Sequence, residues 1–272
     1  MPELPEVQTV LSGIQKTIAN ANITSIDVFC NALRYKVDKT KVPLIIGAKI
    51  SQYRRIGKYI VIDLDNSFSI ILHLGMSGRV TINPIESKKH DHIKISTSNG
   101  IVVYNDARRF GMFDIVKTNE INNISFFKKM GLDPFNKSLN ESYLLEKFKN
   151  KKIDIKSALL DQTIIAGIGN IYASEILFKA KISPLREALS INKNESKKII
   201  LYTKEVLSLA IEKGGSTLKD YRQADGNLGY FQNMHCVYGK DGQQCSICHC
   251  IIKRIVQKGR VTYYCPKCQK GE

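Results

Sequence analysis

Two Cys-x-x-Cys pairs near the C-terminus, Cys245/Cys248 and Cys265/Cys268, constrain this chain more than any other feature. Each pair forms a tight knuckle, and the intervening stretch is long enough to bring both knuckles onto one tetrahedral ion, the spacing of a four-thiolate zinc site. A closed, structural Zn2+ is expected, because four thiolates leave no open coordination position. Cys250 has the wrong spacing from Cys248 to compete, and Cys30 and Cys236 lack a partner motif. Between the knuckles, residues 251–257 and 261–264 read as strands joined at Lys258-Gly259-Arg260. Arg260 is therefore expected at the tip of a metal-stapled hairpin, suited to entering a groove. Seven cysteines, an odd number, with four so arranged argue for a reducing compartment over a disulfide framework.

The opposite end carries the second constraint, Met1-Pro2-Glu3-Leu4-Pro5-Glu6-Val7. Removal of Met1 would leave Pro2 with a free secondary amine. An amine attacks carbon only when neutral, and an α-amino group is roughly one-tenth neutral at about pH 7, far more than a lysine. Attack at a sugar C1' would give an iminium, a covalent intermediate that divides one hard cleavage into easier steps. Glu3 lies beside it to move protons. The same residues also suit an ordinary helix start, with Pro5 in the first turn and acidic groups at the positive end of the dipole. On either reading, Val7, Val10, Leu11, Ile14 and Ile18 recur at helical spacing and anchor the terminus.

Charge indicates the partner. Lys and Arg number 41 against 25 Asp and Glu, a formal +16 spread along the chain. Such an excess fits a polyanion held through salt-dependent phosphate contacts, without naming it. The start lacks the basic and apolar regions of a signal peptide, and no apolar run reaches membrane-spanning length. A cytoplasmic, nucleoid-associated location without membrane contact is expected.

From Ile23 to Val116 the chain reads as short β segments separated by Gly, Asn, Asp and Pro signals: 23–29, 49–55, 59–64, 68–72, 93–97, 101–105 and 113–116. A β-sandwich or barrel packed by the N-terminal helix follows. Three turns within it are unusually polar. Arg54 to Tyr59 holds three cations, with a solvated hairpin as the plain alternative. His73 to Gly78 has two glycines and places Met76 in a loop, as core filler or as a contact. Asp106 to Gly111 offers Arg108 and Arg109 with Phe110, a phosphate contact plus a wedge between bases or a bulge turned inward. In Lys88-Lys89-His90-Asp91-His92 the His-x-His pair lacks a third ligand, so a phosphate contact at His90 is the better reading. Residues 118–150 are less regular, with Gly131-Leu132-Asp133-Pro134 and a short helical run ending at Lys147 to Lys152, and read as an interdomain connection.

Beyond Ile155 the period becomes helical: 155–161, a glycine-rich turn at Ala166 to Asn170, a helix from Ile171 to Lys179, and an amphipathic helix near 196–211. Asn170 at a helix N-terminus suits a phosphate, or serves as an ordinary N-cap. Residues 213–233 form a long polar loop, functional or merely flexible.

In this order, Met1 to Val7, Gly57-Lys58-Tyr59, His73 to Gly78, Ala107 to Gly111, Ile168 to Glu175 and the four-cysteine finger resemble the formamidopyrimidine-DNA glycosylases, bacterial enzymes that excise oxidised purines such as 8-oxoguanine. The resemblance spans essentially the whole chain. It implies an α+β fold: an N-terminal β-sandwich with flanking helices (1–130), a connection (131–150), a helix-two-turn-helix domain with a lesion-capping loop at about 217–230 (151–235), and a zinc-finger hairpin (236–272). It further implies that Pro2 is the Schiff-base nucleophile, Glu3 the proton donor that opens the sugar, and Glu6 a support for both. Lys58 would serve phosphate binding and β-elimination, and Arg260 phosphate binding and δ-elimination. Met76, Arg108 and Phe110 would fill the void left by an extruded base. His90, Arg108, Lys151, Lys156 and Asn170 would contact DNA. The implied partner is duplex DNA with an oxidised base or abasic site, bound by a monomer carrying one Zn2+. The sister endonuclease VIII group, which acts on oxidised pyrimidines, usually begins Pro-Glu-Gly-Pro, whereas position 4 here is leucine. A zinc-ribbon DNA-binding protein without chemistry is the remaining alternative.

Overall fold

The computed structural model describes residues 1–217 and 222–270. Contacts divide the chain into two units, Met1–Lys128 with Ile211–Gln232, and Lys129–Ala210 with Asn233–Glu272.

The first unit opens with α1 (Leu4–Ile18) and continues through β1 (Ile23–Val28), β2 (Ile50–Ile56), β3 (Tyr59–Leu64), β4 (Phe68–His73), β5 (Arg79–Ile82), β6 (Asp91–Thr97), β7 (Ile101–Asn105), β8 (Met112–Lys117) and the short α2 (Ser125–Lys128). The strands form two antiparallel sheets, ordered β1-β6-β7-β5 and β2-β3-β4-β8. Val7, Val10, Leu11, Ile14 and Ile18 of α1 share one core with Ile60 and Ile62 of β3, Ile70 and Leu72 of β4, and Ile93 and Ile95 of β6. Val61 and Ile71 project to the other face and are buried too, so β3 and β4 have no solvated side. The helix is fixed at both ends. Glu3 is its N-cap, with Glu3 and Glu6 closing a capping box. At the other end the Tyr53 hydroxyl donates to the Ile18 carbonyl at 2.7 Å, and burial pushes the Tyr53 phenol up to about 12.

β5 departs from the sequence reading, which placed no strand there. It holds only four residues, pairs with β7 through Arg79↔Asn105 to Ile82↔Val102, and buries Val80 alone among its side chains. So short a segment carries no period of its own.

The second unit contains α3 (Glu141–Phe148), α4 (Ile155–Leu160), α5 (Asn170–Ala180), all but the last two residues of α6 (Lys193–Glu212), β9 (Lys253–Gln257) and β10 (Arg260–Tyr264). Asn140 caps α3 by accepting the Tyr143 N–H at 2.9 Å, and Asp154 caps α4 by accepting the Ser157 N–H at 2.8 Å. Ile171 through Phe178 are all buried, so α5 is the central helix of this unit. β9 and β10 pair antiparallel. Lys258 and Gly259 alone make the turn, with φ of 47° and 75°. Arg260 consequently opens β10 opposite Gln257 and flanks the tip instead of forming it.

Candidate active site

Pro2, Glu3 and Glu6 are all buried. The Glu3 N–H donates to Glu6 Oε2 at 2.8 Å, and Glu6 Oε1 accepts the Ser216 N–H at 2.8 Å. One carboxylate therefore ties the start of the chain to the segment that follows α6. Gly215 permits the approach: its φ is +80°, and a Cβ there would lie 2.8 Å from Glu6 Oε1.

A cavity of about 620 Å3 is lined by Met1, Leu33, Arg34, His73, Gly75, Met76, Arg108, Arg109 and Phe110. Its wall consists of two loops stacked without intervening side chains, 73–78 after β4 and 106–111 after β7. A Cβ on Gly75 would stand 2.5 Å from the Phe110 carbonyl carbon, and one on Gly111 would stand 1.7 Å from the Tyr104 hydroxyl. Asp106 organises the second loop. It is fully buried and accepts from the Ser77 hydroxyl (2.7 Å), the Tyr104 hydroxyl (3.1 Å), the Arg108 N–H (3.2 Å) and the Gly111 N–H (2.8 Å). His92 Nε2 donates to the Asp106 carbonyl at 2.9 Å, and the Asp106 N–H donates to the His90 carbonyl at 3.1 Å. This frame presents Met76 and Phe110, exposed by 41% and 46%, with the Arg108 guanidinium 4.6 Å from the Phe110 ring centre. Exposed large apolar groups beside a stacked cation suit an aromatic base or the gap it leaves.

Lys58 occupies the β2–β3 turn beside Gly57, whose φ is 58°. Its neighbours are structural. Arg54 forks onto Asp63 at 2.5 and 2.7 Å, and Arg55 donates to Gln8 and to the Gly57 carbonyl, both at 3.0 Å. Lys58 is buried, with its charge felt by His73. Burial, then Lys58 and Arg34, depress the His73 imidazole to about 4. It is thus neutral near pH 7, and Nδ1 accepts the Gly75 N–H at 3.0 Å.

In the second unit, the sulfurs of Cys245, Cys248, Cys265 and Cys268 lie within 4.8 Å of one another, with Cys245–Cys268 at 3.9 Å and Cys248–Cys265 at 3.4 Å. Zn–S bonds of about 2.3 Å in a tetrahedron imply S···S edges of about 3.8 Å, so the cluster fits that ion. Glu175 of α5 supports the approach to the finger, accepting the N–H groups of Cys236, Val237 and Tyr238 at 2.8, 3.0 and 2.8 Å. Lys156 lies elsewhere than a backbone contact requires. It is 1% exposed, and its ammonium donates to the Val261 carbonyl (2.8 Å) and the Thr262 hydroxyl (2.7 Å), bonds that hold the strand behind Arg260. Asn170 Nδ2 donates to the same Val261 carbonyl at 2.9 Å, while its buried Oδ1 has no hydrogen-bond partner among the described residues. Lys151 pairs with Asp161 at 3.7 Å, and Arg260 is exposed. In the expected capping loop, 218–221 lie outside the described residues; its base is fixed by Gly229 N–H to the Thr217 hydroxyl at 2.8 Å and Thr217 N–H to Gln232 at 2.9 Å.

Asp106, Glu175 and His73 escape sequence reasoning. Each stands inside a motif quoted above, and nothing in spacing tells which polar member will be enclosed.

Residues 1–113 match the family model described as formamidopyrimidine-DNA glycosylase N-terminal domain, and residues 130–222 match the formamidopyrimidine-DNA glycosylase H2TH domain. Proteins named formamidopyrimidine-DNA glycosylase from Ruegeria sp. (strain TM1040) and Rickettsia bellii are 41% and 42% identical, covering 99% and 100% of this chain and all of each relative. Similar solved structures include a complex of Lactococcus lactis Fpg with DNA containing an abasic site (33% identity, TM-score 0.91) and MutM with DNA containing carbocyclic 8-oxo-G (34%, 0.90), each covering 99% of this chain and 100% of that one. The two family models together span most of the chain and the relatives match it over its full length, so the chain belongs to the formamidopyrimidine-DNA glycosylase family.

Proposed function

We propose that this DNA-repair glycosylase removes oxidised purines from duplex DNA through a Schiff base at Pro2 and then nicks the abasic site by β,δ-elimination. The observation that carries the reading is the cavity in which Met1 adjoins Met76, Arg108 and Phe110. Once Met1 is removed, the Pro2 amine would open onto the space that an extruded nucleotide needs. Extrusion costs a few kcal/mol of stacking, offset by Met76 and Phe110 entering the vacated stack and Arg108 meeting the orphaned partner base.

The Pro2 lone pair attacks C1', the N-glycosidic bond breaks, and the base leaves with a proton. Glu3 protonates the ring oxygen, opening the sugar to an iminium. Loss of a C2' proton expels the 3' phosphate, a second elimination expels the 5' phosphate, and hydrolysis returns Pro2. Lys58 serves the first elimination and Arg260 the second. His90, Arg108, Lys151 and Asn170 contact DNA, whereas Lys156 acts from behind by fixing β10. Cys245, Cys248, Cys265 and Cys268 would hold Zn2+, which would supply a structural cross-link.

The relative from Lactococcus lactis has also been solved with DNA containing an oxidised pyrimidine, so both lesion classes belong in the test. Single-turnover cleavage of duplexes holding 8-oxoguanine or an oxidised pyrimidine, resolved by end chemistry, is expected to favour the purine and leave phosphate on both sides of a one-nucleotide gap. Preference for the pyrimidine would move the chain to the sister activity. Binding without cleavage would leave only a DNA-binding protein.

A further inference from the structure

The polar segment after α6 touches the rest of its unit at a second place, away from Glu6. Ala224 is 2% exposed and belongs to the same core as α1 and the sheets. Its carbonyl accepts the Ile82 N–H at the end of β5, at 3.1 Å. Its methyl lies against Gly13 of α1, where an added Cβ would come within 2.9 Å of the Ala224 Cβ, with Ile82 Cδ1 next at 3.7 Å. Glycine inside a helix is unfavourable relative to alanine; here it leaves a notch one methyl deep. Around Ala224 the chain closes on itself, with Gln223 N–H to the Asn227 carbonyl (2.8 Å), Gly226 N–H to the Gln223 carbonyl (2.9 Å) and Gln223 Nε2 to the Leu228 carbonyl (2.9 Å). A self-bonded turn seated on a buried methyl forms a plug in that notch.

We propose that Ala224, seated in the Gly13 notch, is a positioning residue for the reaction: it sets the register of the segment that delivers the Ser216 N–H to Glu6. The relay has three links. The turn at 223–228 is locked to α1 and β5. From it the chain returns to the paired base, where Tyr230 N–H donates to the Lys213 carbonyl (2.9 Å) and Phe231 N–H to the Gly215 carbonyl (3.0 Å). Ser216 and Glu3 then share the two oxygens of Glu6. Shifting the plug moves Ser216, withdraws its N–H from Glu6 Oε1, and loosens the turn that holds Pro2 and Glu3. The phosphate-binding cations lie outside this path, so the consequence falls on the rate of base removal and not on DNA affinity.

The proposal rests on the glycosylase reading, and a methyl exchange tests it. Gly13→Ala crowds the notch, Ala224→Gly empties it, and the double variant moves the methyl from one wall to the other. Expected single-turnover excision of 8-oxoguanine falls about tenfold in Gly13→Ala and about threefold in Ala224→Gly, and returns to within twofold of wild type in the double variant. Affinity for a duplex with a tetrahydrofuran abasic analogue should stay level throughout, while the melting temperature falls in both single variants and recovers in the double variant. Excision unaffected in both single variants, loss that tracks affinity, or a double variant no better than Gly13→Ala would overturn the seat. Should Gly13→Ala fail to fold, Ala224→Gly with its rescue by the second substitution decides alone. A wild-type chain that binds but does not excise would instead defeat the glycosylase reading, and the seat's catalytic role with it.

Discussion

Glu6 and Asp106 are buried carboxylates used for their geometry: Glu6 gathers N–H groups from two distant segments, and Asp106 closes its own loop through the Arg108 and Gly111 N–H groups and ties it to the Ser77 hydroxyl. Carboxylate acceptors make the stronger class of hydrogen bond, and a buried group left unpaired costs about 1–3 kcal/mol. Asp106→Asn replaces one accepting oxygen by a donor facing donors. We expect a loss of about 2 kcal/mol in denaturant unfolding, on the scale of one such mismatch, together with slower excision as Arg108 and Phe110 lose their frame. Unchanged stability would mean that the loop is held by its glycine packing alone. His73 supplies a pH signature. Its folded value of about 4 lies below the ordinary 6.5, so the unfolded chain takes up the proton first as pH falls. The stability contributed by its burial is complete above about pH 6.5, declines between there and pH 4, and amounts to at most about 3 kcal/mol. Denaturant midpoints at both ends of that window, compared with His73→Asn, should show a shallower acid limb in the variant; parallel limbs would refute the assignment.

At the scale of elements, strands β3 and β4, helices α4 to α6 and the thiolate knuckles were legible because each repeats a chemical type at a fixed period. β5 was not, since four residues with one buried side chain resemble any loop. Residues 118–150, read as irregular apart from a short helical run ending at Lys147 to Lys152, contain α3 where that run lies; the four-residue α2 is unread, its length defeating periodicity in the same way. At the site, the exposed trio of Met76, Arg108 and Phe110 could be picked out by residue type, but Lys156 could not be told from a surface cation. Burial depends on what packs above it, which for Lys156 is β10, more than a hundred residues away in sequence. Replacing Lys156 by Met keeps the volume and leaves the Thr262 hydroxyl without its donor. Expected are a loss of about 1–3 kcal/mol and a larger share of β-only product, because Arg260 opens the strand that Lys156 anchors. Melting curves and end-group analysis on the same preparation would show both; full stability with a collapse of DNA affinity would return Lys156 to the DNA backbone.

For the whole molecule, the governing quantity is charge. None of the helices among the described residues is long and apolar enough to cross a membrane, and the excess of +16 is carried by both units. If Lys58, His90, Arg108, Lys151 and Arg260 meet phosphates with a few of the surrounding lysines, affinity for duplex DNA should fall about a thousandfold between roughly 50 and 200 mM salt. Fluorescence anisotropy across that range measures the slope; a flat response would remove phosphate contacts from the account. The central claim, however, is that a terminal amine held by a capping box forms the covalent intermediate. Its most direct test is borohydride trapping on a duplex with 8-oxoguanine opposite cytosine, beside a version carrying one extra residue before Pro2, with removal of Met1 verified by mass. A covalent band in the native chain that vanishes in the extended one is the predicted result. A band in both, or in neither while binding persists, would contradict it.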